Sequence, residues 1–176
     1  EPHQITDGDW DDGNPAWSPD GQTIAFSSDR GPNRDWDDEA DIYTVSADGG
    51  RPRKLTKSRH YLYAPAWSPD GQTIACLGRV TEGPGGMNVR IWTVPAAGGD
   101  PTCVTADLDI SVGSDVLSDM RAGHTTLPPL WTKDGKAFRV LISDHGNVRL
   151  DEIGLDGSAR TIVGGERVLL DFDGAG

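Results

Sequence analysis

Cysteine is nearly missing from this chain: Cys76 and Cys103 are the only two among 176 residues. Each sits inside an apolar run, so both read as small buried hydrophobes. A disulfide framework or a thiolate metal site needs more partners than this. No apolar run approaches the roughly 18 residues that cross a membrane as a helix. Basic residues are scarce as well. Sixteen Lys and Arg face 28 Asp and Glu, leaving a formal net charge of -12. Nucleic acid and anionic membrane both demand basic patches, so neither is expected as a partner. No signal-peptide pattern is visible, and a cytoplasmic location is expected. Glycine (23) and proline (12), by contrast, fill about a fifth of the chain, which suits many tight turns.

What is present is repetition. "PAWSPDGQTIA" occurs letter for letter at Pro15–Ala25 and again at Pro65–Ala75. From Pro15 the order is a short apolar stretch, an Asp-Gly hairpin signal, "TIAFSS", a polar connection, "DIYTVSA", a second tight turn and "PRKLT". Four short strands joined by turns form an antiparallel meander. The second copy follows the same order, and a third, looser copy opens on "PPLWT". Periods of 40–50 residues with four strands each mark a β-propeller. The expected fold is all-β: a partial propeller of four-stranded antiparallel blades, about three full blades plus flanking strands, forming one fragment over 1–176. Blades are expected at 15–56, 65–105 and 129–163. Residues 1–6 would be the last strand of a preceding blade and 167–176 the start of a following one. The marker positions are Trp17, Asp20 and Gly21; Trp67, Asp70 and Gly71; and Trp131, Asp134 and Gly135. The three tryptophans are expected to fill space between blades. The Asp-Gly turns share one edge of the sheets, and the long connections, longest of all Ala106–Pro128, share the other.

The pattern "PAWSPDG..IAF.S.R...DIYTVSADGG.PRKLT" resembles the propeller repeat of prolyl oligopeptidase-family serine peptidases. The Tol-system periplasmic propeller protein has the same repeat. The stretch "VTADLDISVGSDVLSDMRAG" before "LPPLWTKDG" resembles the acylaminoacyl-peptidase and dipeptidyl-peptidase-like branch, although Thr132-Lys133 stand where Ser-Pro is usual. The resemblance implies a propeller that screens peptide access to a Ser-Asp-His triad in a separate α/β-hydrolase domain. The alternative it implies is a protein-binding propeller of the Tol-associated type, which would be periplasmic.

Catalytic chemistry is not expected from these residues. No Gly-x-Ser-x-Gly nucleophile elbow occurs, and the four histidines fall in or beside loops. The acidic clusters Asp7–Gly13 and Asp35–Glu39 read as solvated loops; the first starts like an EF-hand but its Gly comes late and no Glu closes it. No metal and no cofactor are expected. The candidate binding residues are Asp115, Asp119 and Arg121 in the longest connection, since arginine grips carboxylates at two points. Expected partners are the remainder of a parent propeller and a hydrolase domain, or a second copy of the chain, with peptides as substrates of the parent enzyme. Uncovered terminal faces are expected near Trp17, Ile24 and Phe26, and near Phe138, Val140 and Leu150.

Overall fold

In the computed structural model, which describes residues 3–34, 36, 38–57, 60–81, 88–116 and 126–173, every assigned element is a strand. The first sheet takes β1 (Asp12–Trp17), β2 (Thr23–Ser28), β3 (Asp41–Ser46) and β4 (Arg53–Lys54) in chain order. The second takes β5 (His60–Trp67), β6 (Thr73–Val80), β7 (Arg90–Pro95) and β8 (Thr102–Cys103). The third holds β9 (Ser111–Val112), β10 (Leu130–Trp131), β11 (Ala137–Asp144), β12 (Asn147–Gly154) and β13 (Ala159–Val163). All pairings between these strands are antiparallel, and the all-β blade architecture is that expected from the repeat.

The "SPDG" turn explains its own sequence. Ser18 Oγ donates to Asp20 Oδ1 at 2.6 Å, and the same carboxylate oxygen accepts from Gln22 N–H at 3.0 Å. Thr23 N–H returns to Ser18 Oγ at 2.9 Å, and Gly21 closes the turn at φ +69°, the left-handed region that glycine enters freely. Ser68, Asp70, Gln72 and Thr73 repeat the set at 2.6, 3.0 and 3.0 Å. In the third blade Thr132 replaces serine and loses nothing, because its hydroxyl makes the same bonds to Asp134 (2.7 Å) and Ala137 N–H (3.1 Å).

Burial comes from stacking. Ala25, Ile42 and Leu55 of the first blade pack with Leu62, Ile74, Cys76, Trp92 and Val94 of the second. Ala64, Ala75, Leu77 and Ile91 pack with Val112, Phe138, Val140, Ile142 and Ile153 of the third. The first strands of neighbouring blades meet, for β1 packs on β5, and the short β4 is exposed.

The third blade departs from expectation in a telling way. Its first strand opens at Ser111, inside the segment read as one long connection. Val112 pairs with Ile142 and Trp131 with Phe138, so the strand is split and 114–128 is inserted into it. Gly13, Tyr63 and Gly113 occupy equivalent places, opposite Ser27, Leu77 and Leu141. In the first two blades the ladder is already broken just beyond, with bulges between Gly13 and Ala16 and between Tyr63 and Ala66. Asn14 (φ +51°) and Ala64 (φ +50°) sit left-handed there. An insertion at a bulge removes no further ladder bonds, which is why the blade tolerates it.

The terminal faces also differ from expectation. Ile24 and Phe26 are only 8% and 3% exposed, covered by the segment carrying Ile5 and by Arg30. Phe138 and Val140 point inward against the second blade and are buried. Trp17 alone of the first group is open, at 59% exposure, whereas Trp67 and Trp131 are half-buried between blades. Substitution should therefore separate three residues that the sequence makes equivalent. Trp67→Ala and Trp131→Ala should each lower stability in urea melts by about 2–3 kcal/mol, less than a fully buried aromatic. Trp17→Ala should stay within about 0.5 kcal/mol; equal losses at all three would contradict this packing.

Asp20, Asp70 and Asp134 are each held below the ordinary carboxylate value of 3.8, first by the hydroxyl of Ser18, Ser68 or Thr132 and next by a backbone N–H. A depressed folded-state pKa stabilises above the unfolded value, and that contribution is lost as pH falls through the folded one. Urea midpoints should thus decline below about pH 4. The triple change Asp20→Asn, Asp70→Asn and Asp134→Asn should flatten that decline; an unchanged slope would rule the turns out as its source.

Candidate binding face

The register puts the tight turns at one edge and the long connections at the other. At that second edge, beside the first blade, lies an open concavity of about 500 Å³ walled by Trp10, Asp12, Asn14, Arg34, Glu39 and Tyr61. Arg34 lines it, and Arg30 and Arg79 contact residues that do. Arg30 leaves the end of β2 and its Nη2 donates to both oxygens of Asp12, each at 2.8 Å. Its Nε donates to Ser28 Oγ at 3.2 Å. The guanidinium lies 5.1 Å from the Tyr43 ring, 5.4 Å from Phe26 and 5.7 Å from Trp10. Arg34 pairs with Asp9 at 2.9 Å and lies 5.0 Å from the Trp10 ring. Arg79, near the end of β6 and opposite Tyr61 in the ladder, pairs with Asp38 and lies 5.2 Å from the Tyr61 ring.

The described residues of both acidic loops are largely exposed, and arginines pair with Asp9, Asp12 and Asp38 in them. Partial burial opposes ionisation at Asp12, yet hydrogen bonds from Ser28 and Arg30 outweigh it and lower the pKa. Asp35 and Asp37 lie outside the described residues. Asp11 and Glu39 have no basic partner among the described residues, so the concavity offers carboxylates beside aromatic rings. Such a surface can hold hydrogen-bond donors and cationic groups. Among the described residues no three His, Cys, Asp or Glu side chains gather as a metal site.

Of the sequence candidates, Asp115 is described and Asp119 and Arg121 lie outside the described residues. Asp115 begins the insertion. Its N–H donates to Ser143 Oγ at 2.8 Å, and Ser143 Oγ donates to Gly113 O at 2.9 Å. It borders a tight cavity of about 60 Å³ with Tyr63, Leu77, Val140, Leu141 and Phe172. The Tyr63 hydroxyl there is pushed up to about 12 by burial, and the Asp115 charge adds to the effect. Trp17 and Trp67 lie on the first strands, and the Asp-Gly pairs at 20–21, 70–71 and 134–135 lie at the tight-turn edge, away from the concavity. Arg30, Arg34, Trp10 and Tyr61 escaped sequence reasoning. The one available signal was a basic residue near the end of the second strand in both early copies, Arg30 and Arg79.

No family model matches the chain. It is 30% identical over 157 residues to a Bacillus subtilis (strain 168) protein described as the uncharacterized peptidase YuxL, covering 89% of this chain and 24% of that protein. Among solved structures it resembles TolB from Acinetobacter baumannii, with a TM-score of 0.62 and 20% identity over 94% of this chain and 34% of that one. It also resembles the AtxE2 isopeptidase, with a TM-score of 0.55 and 14% identity over 88% of this chain and 30% of that one. The chain thus spans about a quarter of its curated relative and about a third of each structure. The class is that of β-propeller blades. Within it, the resemblance to peptidase and Tol-system propellers read from the repeat holds.

Arg30→Ala should lower stability by about 1–3 kcal/mol in urea, since it strips Asp12 of a charge-assisted pair. Arg30→Lys should recover less than half of the loss, because a lysine cannot grip two oxygens and lie flat against rings at once. Full rescue by lysine would show that charge alone matters at this position.

Proposed function

We propose that this chain is the non-catalytic propeller portion of an acylaminoacyl-peptidase-like serine peptidase, screening peptides on their way to a hydrolase domain. The observation that carries this reading is the 157-residue match to a peptidase, which runs through all three blades. The supporting chemistry is negative and positive together: the sequence has no nucleophile elbow, while the long-connection edge presents carboxylates and aromatic rings on a rigid frame. Folded substrates would be excluded by size, and the reaction itself would belong to the other domain. The reading needs no cofactor, and it places the protein in the cytoplasm.

A second reading, a protein-binding propeller of the Tol-associated type in the periplasm, is favoured by the TolB likeness. The two readings part at the reading frame. The first expects an α/β segment with Gly-x-Ser-x-Gly in the same protein, and the second expects none.

The isolated chain should show no turnover of a p-nitrophenyl ester or an acyl-peptide. Turnover lost on mutating one of its own serines would overturn the assignment. In the full protein, a cysteine pair bridging β1 and β5 should slow hydrolysis of long peptides on oxidation and spare a small ester. Equal effects on both substrates, or none on either, would remove the screening role.

A further inference from the structure

Two of the three repeated tryptophans reach across a blade boundary to a main-chain carbonyl. Trp67 Nε1 donates to Ala16 O at 3.1 Å, and Trp131 Nε1 donates to Ala66 O at 3.0 Å. Each acceptor begins a cross-strand rung of small residues on the preceding blade. Ala16 faces Ala25, which faces Thr44; Ala66 faces Ala75, which faces Thr93. Trp67 packs on the cluster that holds Ala25, and Trp131 on the cluster that holds Ala75. Small side chains are what let a flat indole approach the first strand closely enough for its N–H to reach a carbonyl.

Trp17 is the same donor on the first blade, and its N–H meets no acceptor among the described residues. The third blade carries the rung in the same register, but with other residues. Leu130 faces Arg139, Arg139 faces Glu152, and Glu152 faces Arg160 on β13. Arg160 Nη2 donates to Glu152 Oε1 at 2.7 Å, and Arg139 Nε lies 3.5 Å from Glu152 Oε2. Leucine and arginine fill the space that two alanines leave open on the other blades. An indole arriving there would also strip water from two guanidiniums and a carboxylate without replacing their hydrogen bonds.

We propose that this rung is the recognition element that decides which blade can follow which. An Ala–Ala–Thr rung accepts a tryptophan hook, and the Leu130–Arg139–Glu152 rung refuses one. The partner that fits the open Trp17 face is therefore a sheet of this same repeat with an Ala–Ala–Thr rung, and the third blade of a second copy is not that partner. The charged rung keeps copies of the chain from adding head to tail through two faces that are otherwise related by the repeat.

The test converts the rung in the full chain with Leu130→Ala, Arg139→Ala and Glu152→Thr, and follows sedimentation at tens of micromolar. The wild-type chain should show no association that Trp17→Ala removes. The converted chain should associate with an apparent Kd at least about tenfold tighter, the scale of one recovered hydrogen bond with its packing. Adding Trp17→Ala should return it to wild-type behaviour. Two results would overturn the proposal: a wild-type oligomer dissolved by Trp17→Ala, or a converted chain that unfolds cooperatively in urea yet associates no more than wild type. Should the triple change fail to fold, Leu130→Ala with Arg139→Ala carries the same test, since the pair opens the space and leaves Glu152 paired with Arg160; a folded double variant with no gain in association also overturns it.

Discussion

A four-stranded sheet of short strands has two faces and no interior, so each blade depends on its neighbours for a core. The first-to-second contact joins Ala25, Ile42 and Leu55 to Ile74, Cys76 and Val94, and the next repeats it with Ala75, Leu77 and Ile91 against Phe138, Val140 and Ile153. Stability of such a stack is a sum of blade terms and interface terms, with little coupling between distant blades. That dependence explains why the sequence repeats so strictly. A residue on one face must suit the next blade, so drift in one copy is penalised by its neighbour.

The two edges of the sheets are under different constraints. At one edge each turn is locked by a hydroxyl, a carboxylate and a left-handed glycine, and the lock survives the change of Ser18 to Thr132 because only the hydroxyl is needed. At the other edge the connections vary in length, and arginines hold them in place. Arg30, Arg34 and Arg79 each take one carboxylate and lie over an aromatic ring. In a chain of net charge -12, these pairings lower the repulsion where acids are densest. Asp11 and Glu39, which form no ion pair among the described residues, border the concavity.

Much of the frame was legible because it rests on local chemistry. The Asp-Gly hairpins, the strand order and the edge shared by the tight turns follow from spacings within one repeat. The split first strand of the third blade was not legible, since Ser111-Val112 and Leu130-Trp131 lie far apart in sequence and each is too short to show a period. Its place could still be inferred afterwards from the exact fifty-residue spacing of positions 13, 63 and 113, which breaks only beyond Gly113. The arginine clamps were hidden for another reason: Asp12 opens β1, Arg30 follows β2, and they meet only when the two strands pair.

Trp17 and Trp67 sit in eleven identical residues and have the same hairpin beneath them, yet one is mostly exposed and the other half-buried. Nothing local separates them. The difference lies wholly in whether a blade with Ala16, Ala25 and Thr44 stands on the side to which the indole points. Burial in a repeat protein is thus a property of pairs of blades, and a repeat read alone specifies what surface is offered but not whether it is taken. The same logic runs in reverse at the third blade. There Leu130, Arg139 and Glu152 change the surface offered, while the Trp131 hook is kept and the inward face stays apolar. One face of a blade can differ apart from the other because strand alternation sends neighbouring residues to opposite sides. A stack built this way can vary one boundary at a time, and the boundary that breaks the pattern is where its association is controlled.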